Sequence, residues 1–310
     1  MDELDIISRF FPWGDVPSDD CFHFEDKYLV TTDVMVEDTH FRHAWSSPAS
    51  LAIKLVEVNL SDIVASGGKP RFALLQLGLS SQVANSHWVG EFARVLLREC
   101  RKYGISLRGG DTFRAQATVL GMTLFGETQD YMARHASRLG DSVYLLGSLG
   151  LSLWGYELLL QQKKPQKRLE TLAICRHLRP RSCYRAMHRL YSAFSVNAAM
   201  DITDGLLQDL QKFTQASGLA MRIHVEKLPE YDTLAQYLPL EKILTSGEEL
   251  SIVFTSPDEI PDLYQGLEVK KIGKVIENPI KSLVEFVLYE KPVWVKESGF
   301  IHFPGGKKQR

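Results

Sequence analysis

Tyr28-Leu29-Val30-Thr31-Thr32-Asp33 is a short run rich in strand-forming residues that ends on a carboxylate, and Glu37, Asp38 and His40 follow it closely. Such a run reads as a strand that delivers Thr32 and Asp33 at its carboxyl end, where open α/β sheets commonly bind ligands. Around it, aspartates recur beside Gly, Thr or another Asp: Asp19-Asp20, Asp62, Gly109-Gly110-Asp111-Thr112 and Asp201-Ile202-Thr203-Asp204-Gly205. That distribution is the main guide to function.

Outward from this stretch, helix and strand signals alternate. Ser47-Pro48 opens a helix over about 48–66, with serine as cap and proline in the first turn. Leu51, Leu55 and Val58 give it an apolar face, Asn59 and Asp62 share another side, and Gly67-Gly68 ends it. Residues 71–79 read as a buried strand and 84–103 as a long helix; Ile105-Ser106-Leu107 reads as a short strand broken by the double glycine. Strands are also expected over 21–25, 119–125, 142–146 and 220–226, with a short helix over 4–11 and helical material over about 151–194. This is a mixed α/β layer with at least one covered face, without the regular alternation of a Rossmann unit. The length of 310 residues suggests two domains, and the polar, basic stretch 133–141 divides them into 1–136 and 137–310.

Hydrophobic residues make up 45% of the chain and charged residues 24%, ordinary values for a globular protein. A net charge of −2 gives no basic surface of the kind nucleic-acid binding uses. Cys21, Cys100, Cys175 and Cys183 are widely spaced, so neither a disulfide framework nor a structural zinc site is indicated. No segment has the length and apolar purity of a membrane span, and the acidic start Met1-Asp2-Glu3 lacks the basic region of a secretory signal. A cytoplasmic location is the expectation.

The carboxylates suit phosphoryl-transfer chemistry. Moving a phosphoryl group from ATP needs anionic oxygens held in line while cations neutralise their charge. Magnesium takes oxygen ligands, often one or two carboxylates plus water, and several aspartates brought to one cleft can hold more than one ion. Thr32, Thr112 and Thr203 offer hydroxyls, while Gly109, Gly110 and Gly205 let backbone approach phosphate. Taken singly, each motif also reads as turn, cap or solvated-surface chemistry; their recurrence is what points to a shared site. There is no GxxxxGK[ST] loop and no HRD followed by DFG, which sets aside P-loop enzymes and protein kinases. Leu146-Gly147-Ser148-Leu149-Gly150 reads as a structural turn or a phosphate contact. His40 reads as a substrate-positioning group or a core histidine, Arg134 as a triphosphate ligand or an exposed linker residue, and Glu248 as a contact for a cationic substrate or part of a solvated acidic turn.

Ser18-Asp19-Asp20, Thr31 to Phe41, Val58-Asn59-Leu60-Ser61-Asp62, Gly109 to Thr112, His177-Leu178-Arg179-Pro180, Asp201 to Gly205 and Ser246-Gly247-Glu248 span nearly the whole chain. In order and spacing they resemble the thiamine-monophosphate kinases, of the superfamily that includes aminoimidazole ribonucleotide synthetase, selenophosphate synthetase and hydrogenase-maturation ATPases. The resemblance implies a two-domain aminoimidazole ribonucleotide synthetase-like fold of the α/β (α+β) class, its mixed sheets covered on one face by helices. Residues 1–136 would bind ATP and Mg2+ and dimerise, and 137–310 would close the site. It implies direct transfer of the γ-phosphoryl of ATP to thiamine monophosphate by a homodimer, with no nucleic-acid or membrane partner. Asp20, Thr31, Thr32, Asp33, Asp62, Asp111, Asp201 and Asp204 then correspond to metal-binding positions, with Asp33, Asp62, Asp111 and Asp204 central to catalysis. Gly110, Asp111, Arg134 and Thr203 correspond to nucleotide contacts, and His40, Glu248 and Phe300 to substrate contacts. The accepting phosphate oxygen is already ionised at neutral pH, so this chemistry needs no general base.

The chain departs from the family pattern at Ser18, which replaces a glycine, and along Ser246-Gly247-Glu248-Glu249-Leu250-Ser251, where the family has Gly-Gly-Glu-Asp-Tyr-Glu. The metal positions persist while the substrate side is altered. The rival readings are a related ATP-dependent enzyme with another small acceptor and a degenerate nucleotide-binding protein.

Overall fold

The computed structural model describes residues 3–11, 19–278 and 284–295; Ser18 and Phe300 lie outside them. The first half runs α1 (Glu3–Ser8), β1 (Phe22–Phe24), β2 (Tyr28–Val36), α2 (Pro48–Ala65), β3 (Lys69–Leu79), α3 (Ser86–Lys102), β4 (Ser106–Arg114) and β5 (Val119–Glu127). Its strands order β1-β2-β5-β3-β4, and only β3 and β4 run parallel, joined by α3 as the crossover that parallel pairing requires. Side-chain alternation gives the two faces different tasks. Leu29 and Met35 of β2, Leu120, Met122 and Leu124 of β5 and Ala73 of β3 pack under α2 and α3. The opposite face is left open among the described residues, with Val34, Phe72 and Phe113 each 40–47% exposed.

Three expectations differ from the structure. Asp33 does not end its strand: β2 runs on to Val36, and Asp33 pairs with Met122 inside the sheet. The double glycine does not break a strand: β4 runs through it, and Gly110 pairs with Leu75. Gly110 sits at φ +143°, and a Cβ there would fall 1.7 Å from the Leu75 carbonyl oxygen, so glycine is what lets the strand continue at this register. Nor is α2 a half-wet amphipathic helix. Ser47 caps it by accepting from the Ser50 N–H at 3.1 Å, and Pro48 occupies its first turn. Beyond the face that packs on the first sheet, Val64 and Ala65 pack against the second half of the chain, leaving α2 buried nearly all round.

That second half runs β6 (Ser142–Leu146), α4 (Leu151–Leu160), α5 (Arg168–Leu178), α6 (Tyr184–Tyr191), β7 (Ala198–Asp201), α7 (Leu206–Ser217), β8 (Ala220–His224), α8 (Tyr231–Leu234), α9 (Leu240–Leu244), β9 (Ile252–Ser256), β10 (Leu263–Tyr264), β11 (Leu267–Ile276), β12 (Val284–Leu288) and β13 (Lys291–Val293). Its sheet orders β13-β12-β8-β11-β6-β9-β7. On one face Val143, Leu145 and Val253 meet α4 and α7. On the other, Tyr144, Leu146 and Phe254 meet α6 and the end of α2.

Polar ties across the junction are specific. Buried Glu57 of α2 accepts from Arg181 Nη1 at 2.7 Å, from Ser182 N at 3.0 Å and from Ser182 Oγ at 2.7 Å. Tyr191 donates to the Val64 carbonyl at 2.8 Å. Among the described residues no helix is long and apolar enough to cross a membrane.

Candidate active site

The chain brings Asp20, Asp62 and Asp201 together, with one carboxylate oxygen of each lying within 4.8 Å of the others. They come from the loop before β1, from α2 and from the end of β7, so the cluster spans both halves. Asp33, on the helix-facing side of β2, adds a fourth charge that bears on Asp62 and Asp201. Its N–H donates to Asn59 Oδ1 at 3.2 Å, and the Thr31 hydroxyl donates to Asp62 Oδ2 at 2.5 Å, so both residues are locked to α2.

Burial is the largest cause raising the pKa of each acid, and the neighbouring carboxylates add to it. Asp33 is pushed up to about 6, and Asp62 and Asp201 are raised well above the usual carboxylate range. Asp20 is raised as well, with the Arg134 guanidinium opposing the rise through an ion pair. Both carboxylate oxygens of Asp201 are buried without a hydrogen bond of ordinary geometry, although the Ser61 hydroxyl lies beside them. A compact set of hard oxygen donors, one of them unpartnered, fits a divalent cation of the magnesium kind.

Asp33 and Asp62 also line a cavity of about 520 Å³ shared between the halves of the chain. Its other walls include His40 and Trp45 from the first half and Tyr156, His177, Thr203 and Glu248 from the second. Behind the wall sits Lys54, 2% exposed. Its ammonium bonds Glu248 Oε2 at 2.8 Å and the His40 carbonyl at 3.1 Å, tying two cavity-lining segments together. Lys54 leads the charges holding the Glu248 carboxyl below its ordinary pKa against the effect of burial. The ring of His40 is turned back by its own backbone, accepting from the Val36 N–H at Nδ1 at 3.0 Å.

The loop at 203–205 is shaped by Asp209, whose Oδ2 accepts the N–H groups of Thr203, Asp204 and Gly205 at 3.0, 3.0 and 3.1 Å. Gly205 at φ +114° allows that loop to pass Thr245, whose backbone carbon would lie 2.7 Å from a Cβ. Ser246 and Glu249, two of the departures from the family run, bond each other at 2.5 Å, and the Ser152 N–H reaches the same carboxylate oxygen at 3.0 Å.

Thr32, Gly110 and Asp111 lie apart from the acid cluster. Alternation turns Thr32 to the open face, where its hydroxyl meets Thr123 Oγ1 at 3.2 Å, while Thr31 and Asp33 turn to the helices. Asp111 lies on edge strand β4, exposed, with its carboxylate on its own neighbour's N–H at 2.9 Å. The sheet order places it three strand spacings from β2, roughly 14 Å away. One chain therefore does not bring Thr32 or Asp111 to the aspartates. Gly110 shares the β4 position. Asp204 lines the cavity but is paired to Lys212 at 2.5 Å. Arg134 is no exposed linker residue: it is buried, its side chain on Asp20 and its N–H on Asp19 at 2.9 Å.

Lys54, Tyr156 and Asp209 were not foreseen. The one available signal was a lysine set between Leu51 and Leu55 on an apolar helical stripe.

Comparison with known proteins places this geometry. Residues 18–128 match the family model for the N-terminal domain of AIR synthase related proteins, and residues 138–285 match that for the C-terminal domain. The chain is 39% identical over 303 residues to the thiamine-monophosphate kinase of Leptospira interrogans, covering 98% of each. A solved structure described as "AaThiL complexed with AMPPCP and TMP" superposes with a TM-score of 0.83 at 32% identity, covering 97% of this chain and 96% of that one. The thiamine monophosphate kinase of Aquifex aeolicus superposes with a TM-score of 0.81 at 32% identity, covering 94% of this chain and 96% of that one. An acid cluster shared by two α/β halves, an adjoining cavity and matches over almost the full length agree on one assignment: the chain belongs to the thiamine-monophosphate kinase family.

Proposed function

We propose that this chain binds ATP with Mg2+ and transfers its γ-phosphoryl group to thiamine monophosphate, giving thiamine diphosphate and ADP. The observation that carries this reading is the joining of the acid cluster to the cavity: Asp62 belongs to both, and Asp33, whose charge bears on Asp62, lines the cavity beside it. Bound divalent cations would neutralise the phosphate oxygens between the aspartates. Asp20, Asp33, Asp62 and Asp201 would hold those cations, and Thr31 would keep the Asp62 carboxylate aimed. Thr203 and Asp204 line the same cavity and suit the nucleotide side, while His40 and Glu248 suit the acceptor side. The departures at Ser246 and Glu249 bond each other outside the cavity lining.

We also infer that the protein works as a homodimer built on the open face of the first sheet, consistent with its exposed Phe22, Val34, Phe72 and Phe113. On this reading Thr32 and Asp111, both on that sheet, act where two copies meet. Residues 1–136 form the nucleotide and dimer domain, and 137–310 close the site.

Purified protein given ATP, Mg2+ and thiamine monophosphate is expected to form thiamine diphosphate, detected directly. Asp33→Asn is expected to lower turnover by at least about 10²-fold with the fold intact by circular dichroism. Undiminished turnover in Asp33→Asn would reject its role. Absence of product with the wild type would reject the function.

A further inference from the structure

The cavity has a second recognition element besides the aspartates. His177, on α5, lines it and is 9% exposed, and its Nδ1 is buried with no hydrogen-bond partner. A polar nitrogen held dry and unpaired is unfavourable unless something bonds it. Its ring packs on that of Tyr156, also a cavity residue, with centroids 5.4 Å apart. The charges acting on the imidazole are Lys54 and Glu248; those acting on Asp33 are Asp20 and Glu248. Glu248, which lines the same cavity, acts electrostatically on both. Burial, with Lys54 beside it, lowers the ring's pKa to about 4, so it is neutral at physiological pH and able to present a lone pair.

We propose that His177 determines acceptor specificity by accepting, at Nδ1, a hydrogen bond from an amino group on a flat heteroaromatic ring lodged beside Tyr156. This rests on the function proposed above. Thiamine monophosphate carries groups that match this lining: a phosphate for the aspartates, a cationic thiazolium for the neighbourhood of Glu248, and an aminopyrimidine for His177 and Tyr156. The imidazole would not touch the transferring phosphoryl group, so it acts on acceptor choice and not on the chemical step.

The test compares thiamine monophosphate with an analogue whose pyrimidine amino group is replaced by hydrogen. Wild-type enzyme is expected to favour the natural acceptor by about tenfold in kcat/KM. His177→Leu is expected to raise KM for thiamine monophosphate about tenfold, leave KM for ATP unchanged and bring the preference near unity. His177→Asn, whose amide oxygen can stand near the Nδ1 position, is expected to restore the preference. A wild type that turns over both acceptors equally, or a folded His177→Leu that retains the preference, overturns the inference alone. A wild type inactive on thiamine monophosphate overturns the inference together with the function it rests on.

Discussion

Replacing Asp201 by Asn is expected to stabilise the folded chain without cations, because both of its carboxylate oxygens are buried unpaired and its charge opposes Asp20 and Asp33. The gain should be about 1 kcal/mol or more, the usual sign for a group kept for function at the expense of stability. Millimolar Mg2+ should raise Tm of the wild type by several degrees and that of Asp201→Asn far less. Equal shifts in thermal melts of both proteins would show that Asp201 holds no cation. Glu249 makes a pH prediction. Burial raises its pKa from 4.5 to about 7, so the folded chain holds a proton that the unfolded chain has released. Stability from this group is full below pH 4.5 and falls as pH rises through about 7. Glu249→Gln should therefore match the wild type near pH 4.5 and exceed it by roughly 3 kcal/mol above pH 8, read from denaturant unfolding at several pH values. At this scale the aspartates were visible as a list in the sequence. Which side of the sheet each neighbour takes was visible only once strand parity was set, as Thr31, Thr32 and Asp33 show.

At the scale of elements, α2 has the most to lose. Lys54→Met should leave Glu248 without its cation and free the His40 segment, raising KM for the acceptor about tenfold while KM for ATP stays fixed; Lys54→Arg should recover part of the loss. An equal rise in both KM values would point to general loosening of the fold instead. The limits of α2 were legible from Ser47-Pro48 and Gly67-Gly68. The burial of its remaining sides was not, because periodicity shows one apolar stripe and says nothing of a second body arriving from 80 residues later. Asp62 therefore also read as a solvated-surface residue. β4 failed for a local reason: paired glycines normally mark a turn, and only the neighbouring Leu75 carbonyl shows why they belong inside a strand.

For the whole molecule, the uncovered face of the first sheet predicts self-association. Phe72→Asp is expected to give a monomer by sedimentation where the wild type is a dimer at micromolar concentration. A wild-type monomer under active conditions would reject the proposed face. The two-domain fold itself was legible from the length of 310 residues and the polar, basic stretch 133–141. One feature of the junction reaches further. A single helix, α2, supplies Asp62 to the acids, Lys54 to the acceptor wall and Glu57 to the Arg181–Ser182 tie. A chimera that exchanges the second half of this protein with a relative's should therefore fail if cut at the connector near residue 137, and recover when residues 48–65 travel with the transplanted half.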